Sequence, residues 1–147
     1  MSDIILDSGI FLARAFTEQF TKQAIAVFAQ IEREASGIHA PTLLHYEVVS
    51  VIRMAVYSGR ISPAQGLAIR QDVLEAPIGL HFDRSLLERA YDLAQELKLP
   101  RTYDAQYLAL AERLGCAFWT ADQRLFNSAR DAFPSIHWLG TYEEEAV

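Results

Sequence analysis

Five short runs of strand-forming residues alternate with helical stretches along the chain. That alternation predicts an α/β fold, a three-layer arrangement with a five-stranded parallel sheet flanked by helices. The first run, Ile4-Ile5-Leu6, is apolar without interruption, as a central strand buried on both faces requires. The five prolines fall singly at element boundaries, and no repeat or low-complexity linker occurs. The elements therefore read as one domain over residues 1–147, with a core at about 4–139 and an acidic tail at 142–147.

Asp7-Ser8-Gly9 ends the first strand. From about Glu18 to Ser36, Phe20, Ala24, Val27, Phe28 and Ile31 recur at helical spacing, and Gly37 stops the helix. Ile38-His39-Ala40 reads as the second strand. Pro41 opens a helix through Tyr57 that turns Leu44, Val48, Val51, Ile52 and Ala55 inward. Ser62-Pro63-Ala64-Gln65 combines an N-cap serine, a proline at the first helical position and a glutamine three residues after the cap, a strong helix start. Ile78 to Phe82 makes a third strand, weakened by Gly79. Ser85-Leu86-Leu87-Glu88 reads as a capping box for a helix to about Leu97, and Thr102 caps another that Gly115 ends. Ala117 to Thr120 is the fourth strand, Asp122 to about Ala132 a helix, and Ile136 to Leu139 the fifth strand.

Composition narrows the function. The 147 residues are 51% hydrophobic and 22% charged, and at this length about 68–70% of the unfolded chain's surface is buried without disulfides or a structural metal. Thirteen basic against 19 acidic residues leave a net charge of −6, which argues against bulk electrostatic coating of nucleic acid or membrane. The single cysteine, Cys116, excludes an internal disulfide and a multi-cysteine zinc site. No signal-peptide pattern and no 18-residue apolar stretch occur, so a soluble cytoplasmic protein is expected.

In a parallel sheet, function belongs at the carboxyl ends of the strands, near the point where strand order reverses. Asp7 and Asp122 follow the first and fourth strands, while Glu47 and Asp104 lie one turn inside helices. Each has a structural reading: Asp7 caps a turn, Asp122 is an N-cap, Asp104 complements its helix dipole and Glu47 pairs with Arg53 or another nearby cation. Asp104 is the harder one to explain in that way, because Tyr103 to Ala111 is otherwise apolar or small, and a lone buried carboxylate is costly. Several carboxylates at one sheet edge repel unless a cation lies among them, and oxygen donors without cysteine or histidine pairs favour Mg²⁺ or Mn²⁺.

Four blocks resemble the successive signatures of the PIN domain, most closely its VapC-type toxin branch. They are Leu6-Asp7-Ser8-Gly9-Ile10-Phe11-Leu12, Pro41-Thr42-Leu43-Leu44-His45-Tyr46-Glu47-Val48, Tyr103-Asp104-Ala105-Gln106-Tyr107-Leu108-Ala109-Leu110-Ala111 and Thr120-Ala121-Asp122-Gln123-Arg124-Leu125. The resemblance implies a PIN-like sandwich and a metal-dependent endonuclease for single-stranded or loop RNA. It makes Asp7, Glu47, Asp104 and Asp122 the catalytic carboxylates, with Asp7, Asp104 and Asp122 at the Mg²⁺ or Mn²⁺ ion. Ser8 and Thr120 become orienting residues. The chain departs from the family at Gly9, where a hydroxyl or amide residue is usual. The implied chemistry is metal-assisted phosphodiester hydrolysis that leaves a 5′-phosphate.

The resemblance also implies a cognate antitoxin, whose arginine enters the acidic pocket, and a homodimer through the helices between Pro41 and Ala76. An acidic site needs cations around its rim to hold RNA, for which Arg14, Lys22, Arg53, Arg101 and Arg124 are candidates. Tyr103 or Phe11 would stack a base. His39, His45, His81 and His137 lack metal spacing, and Trp119, Trp138 and Cys116 read as core. Three other classes compete. A PIN-like module that binds RNA or protein without cutting is favoured only by Gly9. A phospho-receiver would need an acidic pair after strand one and a lysine after strand five, and Leu139-Gly140-Thr141 lacks the lysine. A dehalogenase-type phosphatase would need Asp-x-Asp where Asp7-Ser8-Gly9 stands.

Overall fold

The computed structural model of the chain describes residues 3–143. Strands β1 (Ile4–Leu6), β2 (Ile38–Pro41), β3 (Ile78–His81), β4 (Ala117–Thr120) and β5 (Ile136–Trp138) form one parallel sheet in the order β3-β2-β1-β4-β5. Helices α1 (Ser8–Ala15), α2 (Thr21–Arg33), α3 (Leu43–Tyr57), α4 (Pro63–Glu75), α5 (Arg84–Glu96), α6 (Tyr103–Leu114) and α7 (Gln123–Ala129) accompany it, with a 3-10 turn at Leu139–Thr141. The chain runs outward from β1 to β3 and then returns to the other side of β1 for β4. Strand order therefore reverses between β1 and β4, and a crevice opens at their carboxyl ends, where Asp7 and Asp122 stand.

All three residues of β1 are buried, which explains their uninterrupted apolar character. On β4, Phe118 stacks on Tyr107 of α6, while Trp119 points to the opposite face and meets His137 and Tyr142. Gly79 in β3 has a packing reason: a β-carbon there would lie 2.6 Å from Nδ1 of His39, on the neighbouring strand. The space it leaves lets His39 bond Nε2 of His81 at 3.0 Å and Asp3 at 2.8 Å, which ties together three adjacent chain segments.

Several boundaries differ from the sequence reading. Residues 8–15, to which it assigns no helix, form α1, because Asp7 caps the Ile10 amide and Gly9 fits inside the first turn. The helix expected from Glu18 begins at Thr21, whose hydroxyl accepts the Glu18 amide and donates to the Phe16 carbonyl. Pro41 ends β2 rather than opening α3. Asp83, not Ser85, caps α5, and the Ser85 hydroxyl donates to it. Thr102 occupies the N-cap of α6 without a side-chain bond, whereas Gly115 closes that helix at φ 64°. The capping box at Ser62 and Gln65 forms in full. Of the acidic tail, residues 144–147 lie outside the described residues. Among the described residues no helix is long and apolar enough to cross a membrane.

Candidate active site

Four elements bring the four predicted carboxylates together at the carboxyl edge of the sheet. Asp7 leaves β1 and is 7% exposed. Its Oδ1 accepts the Ile10 amide at 3.2 Å, and its Oδ2 accepts the Thr120 hydroxyl. Thr120 is fully buried and its Oγ1 accepts the Asp122 amide at 3.0 Å, so one threonine links the acids that follow β1 and β4. Asp122 caps α7, its Oδ1 accepting the Arg124 and Leu125 amides at 2.9 and 3.1 Å. The structural readings of Asp7 and Asp122 as caps therefore hold, and capping leaves both carboxylates at the crevice.

Glu47, one turn inside α3, does not pair with Arg53: its Oε1 accepts the Tyr107 hydroxyl at 2.8 Å. Asp104, in the first turn of α6, has no donor or cation bonded to it among the described residues. Burial pushes the Asp7 carboxyl up to about 7 against the pull of Thr120, with the Asp104 charge adding to the rise. Glu47 is raised first by burial and then, against its Tyr107 bond, by Asp104; Asp104 is raised by burial and by Asp122. Asp104 is thus the hub, electrostatically coupled to each of the other three. Ser8, at the start of α1, opposes the rise of both Glu47 and Tyr107.

Among the described residues, none of the four acids forms an ion pair with lysine or arginine. Nor is any group of three His, Cys, Asp or Glu side chains arranged to hold a metal ion by itself. The donor set still suits Mg²⁺, which is held by one or two carboxylates, its remaining positions going to water and substrate phosphate. Zn²⁺ would want a closed set of nitrogen or sulfur ligands.

The rim candidates divide. Arg101 and Arg124 are exposed beside the N-termini of α6 and α7, three residues before Asp104 and two after Asp122. Arg14 lies in the last turn of α1, about 10 Å along the helix from Asp7, with its guanidinium 3.7 Å over Phe28. Arg53 lies over Tyr57 at 5.8 Å and lines an apolar groove of about 480 Å³ between α3 and α4, which none of the four acids lines. Lys22 is exposed on the first turn of α2. Phe11 is 1% exposed and cannot stack a base, whereas Tyr103 is 53% exposed.

One contributor escapes the sequence reading, and another is named there without its reason. Tyr107 reads as a core aromatic, and only its hydroxyl, in an otherwise apolar helix, signals more. Gly9 is confined: a β-carbon there would lie 2.9 Å from the Ala121 Cβ and 3.3 Å from Asp7 Oδ1. A side chain at this position requires Ala121 or Asp7 to shift.

Comparison with known proteins agrees with this geometry. The PIN domain profile matches residues 4–131. VapC ribonuclease Mb0985 of Mycobacterium bovis is 30% identical over 131 residues, covering 89% of this chain and 94% of its own length. Ribonuclease VapC3 of Mycobacterium tuberculosis is 35% identical over 115 residues, 78% of this chain and 77% of its own. Among solved structures, PAE2754 from Pyrobaculum aerophilum superposes with a TM-score of 0.69 at 22% identity, covering 96% of this chain and 94% of that one. FitAB bound to an IR36 DNA fragment reaches 0.63 at 15% identity, covering 97% and 99%. At those identities the structural likenesses show the fold.

Proposed function

The chain belongs to the PIN domain family, in its VapC-type branch, and from that premise we propose that it is an endoribonuclease. It hydrolyses phosphodiester bonds of single-stranded or loop RNA with Mg²⁺ or Mn²⁺ and serves as the toxin of a toxin–antitoxin pair. The observation that carries this reading is four carboxylates at the carboxyl edge of the sheet, coupled through Asp104, with no lysine or arginine paired to them among the described residues. Like charges gathered in this way favour a divalent cation.

Asp7, Asp104 and Asp122 would hold the ion, which when bound supplies Lewis-acid polarisation of the scissile phosphate and acidifies the attacking water. Thr120 orients Asp7 and braces the backbone at Asp122. Glu47, its proton affinity raised by burial, stands ready to take a proton from the nucleophile. Arg101 and Arg124 offset the repulsion between acids and RNA backbone. Hydrolysis leaves a 5′-phosphate. An antitoxin arginine entering the cluster would satisfy the same unpaired charge. Exposed Met54, Tyr57 and Leu67, on the helices bordering the α3–α4 groove, suit a homodimer contact.

The non-cutting alternative draws its support from Gly9, and the presence of all four carboxylates, Asp7, Glu47, Asp104 and Asp122, speaks against it. The test is incubation of purified protein with total RNA in Mg²⁺, Mn²⁺ or EDTA, mapping new 5′ ends against Asp104→Asn. Discrete metal-dependent ends missing from the variant are expected. Their absence, from protein free of a bound inhibitor, would overturn the nuclease reading.

A further inference from the structure

We propose that Tyr107 is a positioning residue that fixes Glu47 in the acid cluster, its phenol bonded to Glu47 Oε1 at 2.8 Å from the helix that carries Asp104. The assignment rests on the nuclease reading above. Its geometry stands independently of that reading. Tyr107 is 1% exposed and its ring lies nearly parallel to Phe118, at 7° and 5.8 Å between centroids, so the hydroxyl has one place to point. It sits three residues after Asp104, and side chains at that spacing share a helix face. The bond joins α6 to α3 directly, across sixty positions of the chain.

The need for such a tie follows from the charges. Asp104 repels Glu47, and a free glutamate on the first turns of α3 would gain rotamer entropy and hydration by swinging out to water. A lysine or arginine could hold it, but would also neutralise the cluster and compete with an incoming cation. A neutral phenol donates without doing either. Burial and the Glu47 charge together hold the phenolic proton far above its ordinary range, so the group remains a donor throughout the working pH range. Ser8 completes the arrangement from α1 by acting on both partners.

Tyr107→Phe keeps the stacked ring and deletes only the donor. Steady-state cleavage of a mapped RNA should show kcat reduced about 10–100-fold, the scale for losing an orienting partner, with KM within about twofold and an unchanged melting temperature. In a Glu47→Ala background, assayed with excess enzyme, the added Tyr107→Phe change should have no further effect. A crystal structure of Tyr107→Phe should show the Glu47 carboxylate displaced, and this decides the matter if Glu47→Ala cuts too slowly to measure. An unchanged kcat, a loss confined to KM, an equal loss in both backgrounds, or Glu47 unmoved would each overturn the assignment. Absence of cutting by the wild-type chain would overturn the nuclease reading along with it, whereas a fully active Tyr107→Phe overturns this assignment alone.

Discussion

Two groups of carboxylates in this molecule have opposite electrostatics. On the face shared by α5 and α6, Arg113 pairs with Asp83 at 2.5 Å, and Arg89 pairs with Glu112 at 2.7 Å and Glu96 at 3.2 Å. There the arginine bonds hold Asp83 and Glu112 below their ordinary range. At the carboxyl edge of the sheet, burial raises Asp7, Glu47 and Asp104, and among the described residues no lysine or arginine relieves them. The first arrangement is what a solvated surface does with mixed charge. The second costs folding free energy, and its persistence marks a site kept for something other than stability.

Removing the hub should have the largest effect. Asp104→Asn takes a charge from the cluster that all three other acids feel. Loss of even about 3 kcal/mol of transition-state stabilisation would lower cleavage about 100-fold or more. The same change relieves repulsion, so the variant should melt no lower than wild type in EDTA. Retained cleavage, or a marked fall in melting temperature, would break the contrast between the two regions.

The pH dependence of stability sharpens the same contrast. Asp7 moves from an ordinary 3.8 to about 7 in the fold, so between those values the native chain holds a proton that the unfolded chain has lost. The native state then binds more protons, and metal-free stability should fall as pH rises through that window. At about 1.36 kcal/mol per pH unit the loss has a ceiling of about 4 kcal/mol. Burial holds His81 and His137 below their ordinary range, which adds stability as pH rises toward neutrality and opposes the trend. The clean measurement is therefore the difference between wild type and Asp7→Asn in urea melts at pH 5 and pH 8 with EDTA. The wild type should lose more, and Mg²⁺ at pH 8 should restore it by mass action. Equal slopes for the two proteins would show that Asp7 carries no such penalty.

The topology rule places Asp7 and Asp122 from sequence alone, because each follows a strand at the reversal of strand order. Asp104 is legible as a carboxylate in an apolar helix. Glu47 needs the resemblance, since no local pattern distinguishes it from a solvated acid. Tyr107 is illegible for a physical reason: a tyrosine in such a helix reads as core, and its partner lies sixty positions away in the chain. The stacking of Arg14 on Phe28 is illegible for the same kind of reason, because it depends on the packing of α1 against α2. The helix α1 went unassigned because its start coincides with a site aspartate and a glycine, both of which read as a turn.

Gly9 offers a smaller test. Gly9→Ser would install the hydroxyl usual in the family, but its β-carbon meets Ala121 at 2.9 Å, between elements that cannot separate without moving Asp7. Overpacking of this kind typically costs about 1–3 kcal/mol. Ala121→Gly opens the space, so the double variant should recover stability that the single one loses. A Gly9→Ser protein as stable as wild type would show that the segment yields, and that the close approach does not dictate glycine.

The smallest effect should come from the paired face. Arg89 bonds two carboxylates, yet its side chain is 38% exposed, and ion pairs in such a setting are screened and give back side-chain entropy. Arg89→Ala should shift stability by less than about 1 kcal/mol, and moderate salt should erase most of the difference. Cleavage should be unchanged, because Arg89 pairs with Glu96 and Glu112 rather than with any site acid. The informative comparison sets this variant beside Asp104→Asn. Deleting a bonded charge on the surface should weaken the fold slightly and spare cleavage, whereas deleting an unbonded charge in the crevice should spare the fold and end cleavage. If Arg89→Ala impaired cleavage at unchanged stability, charge on the two faces would be coupled through α6, which carries both Asp104 and Glu112.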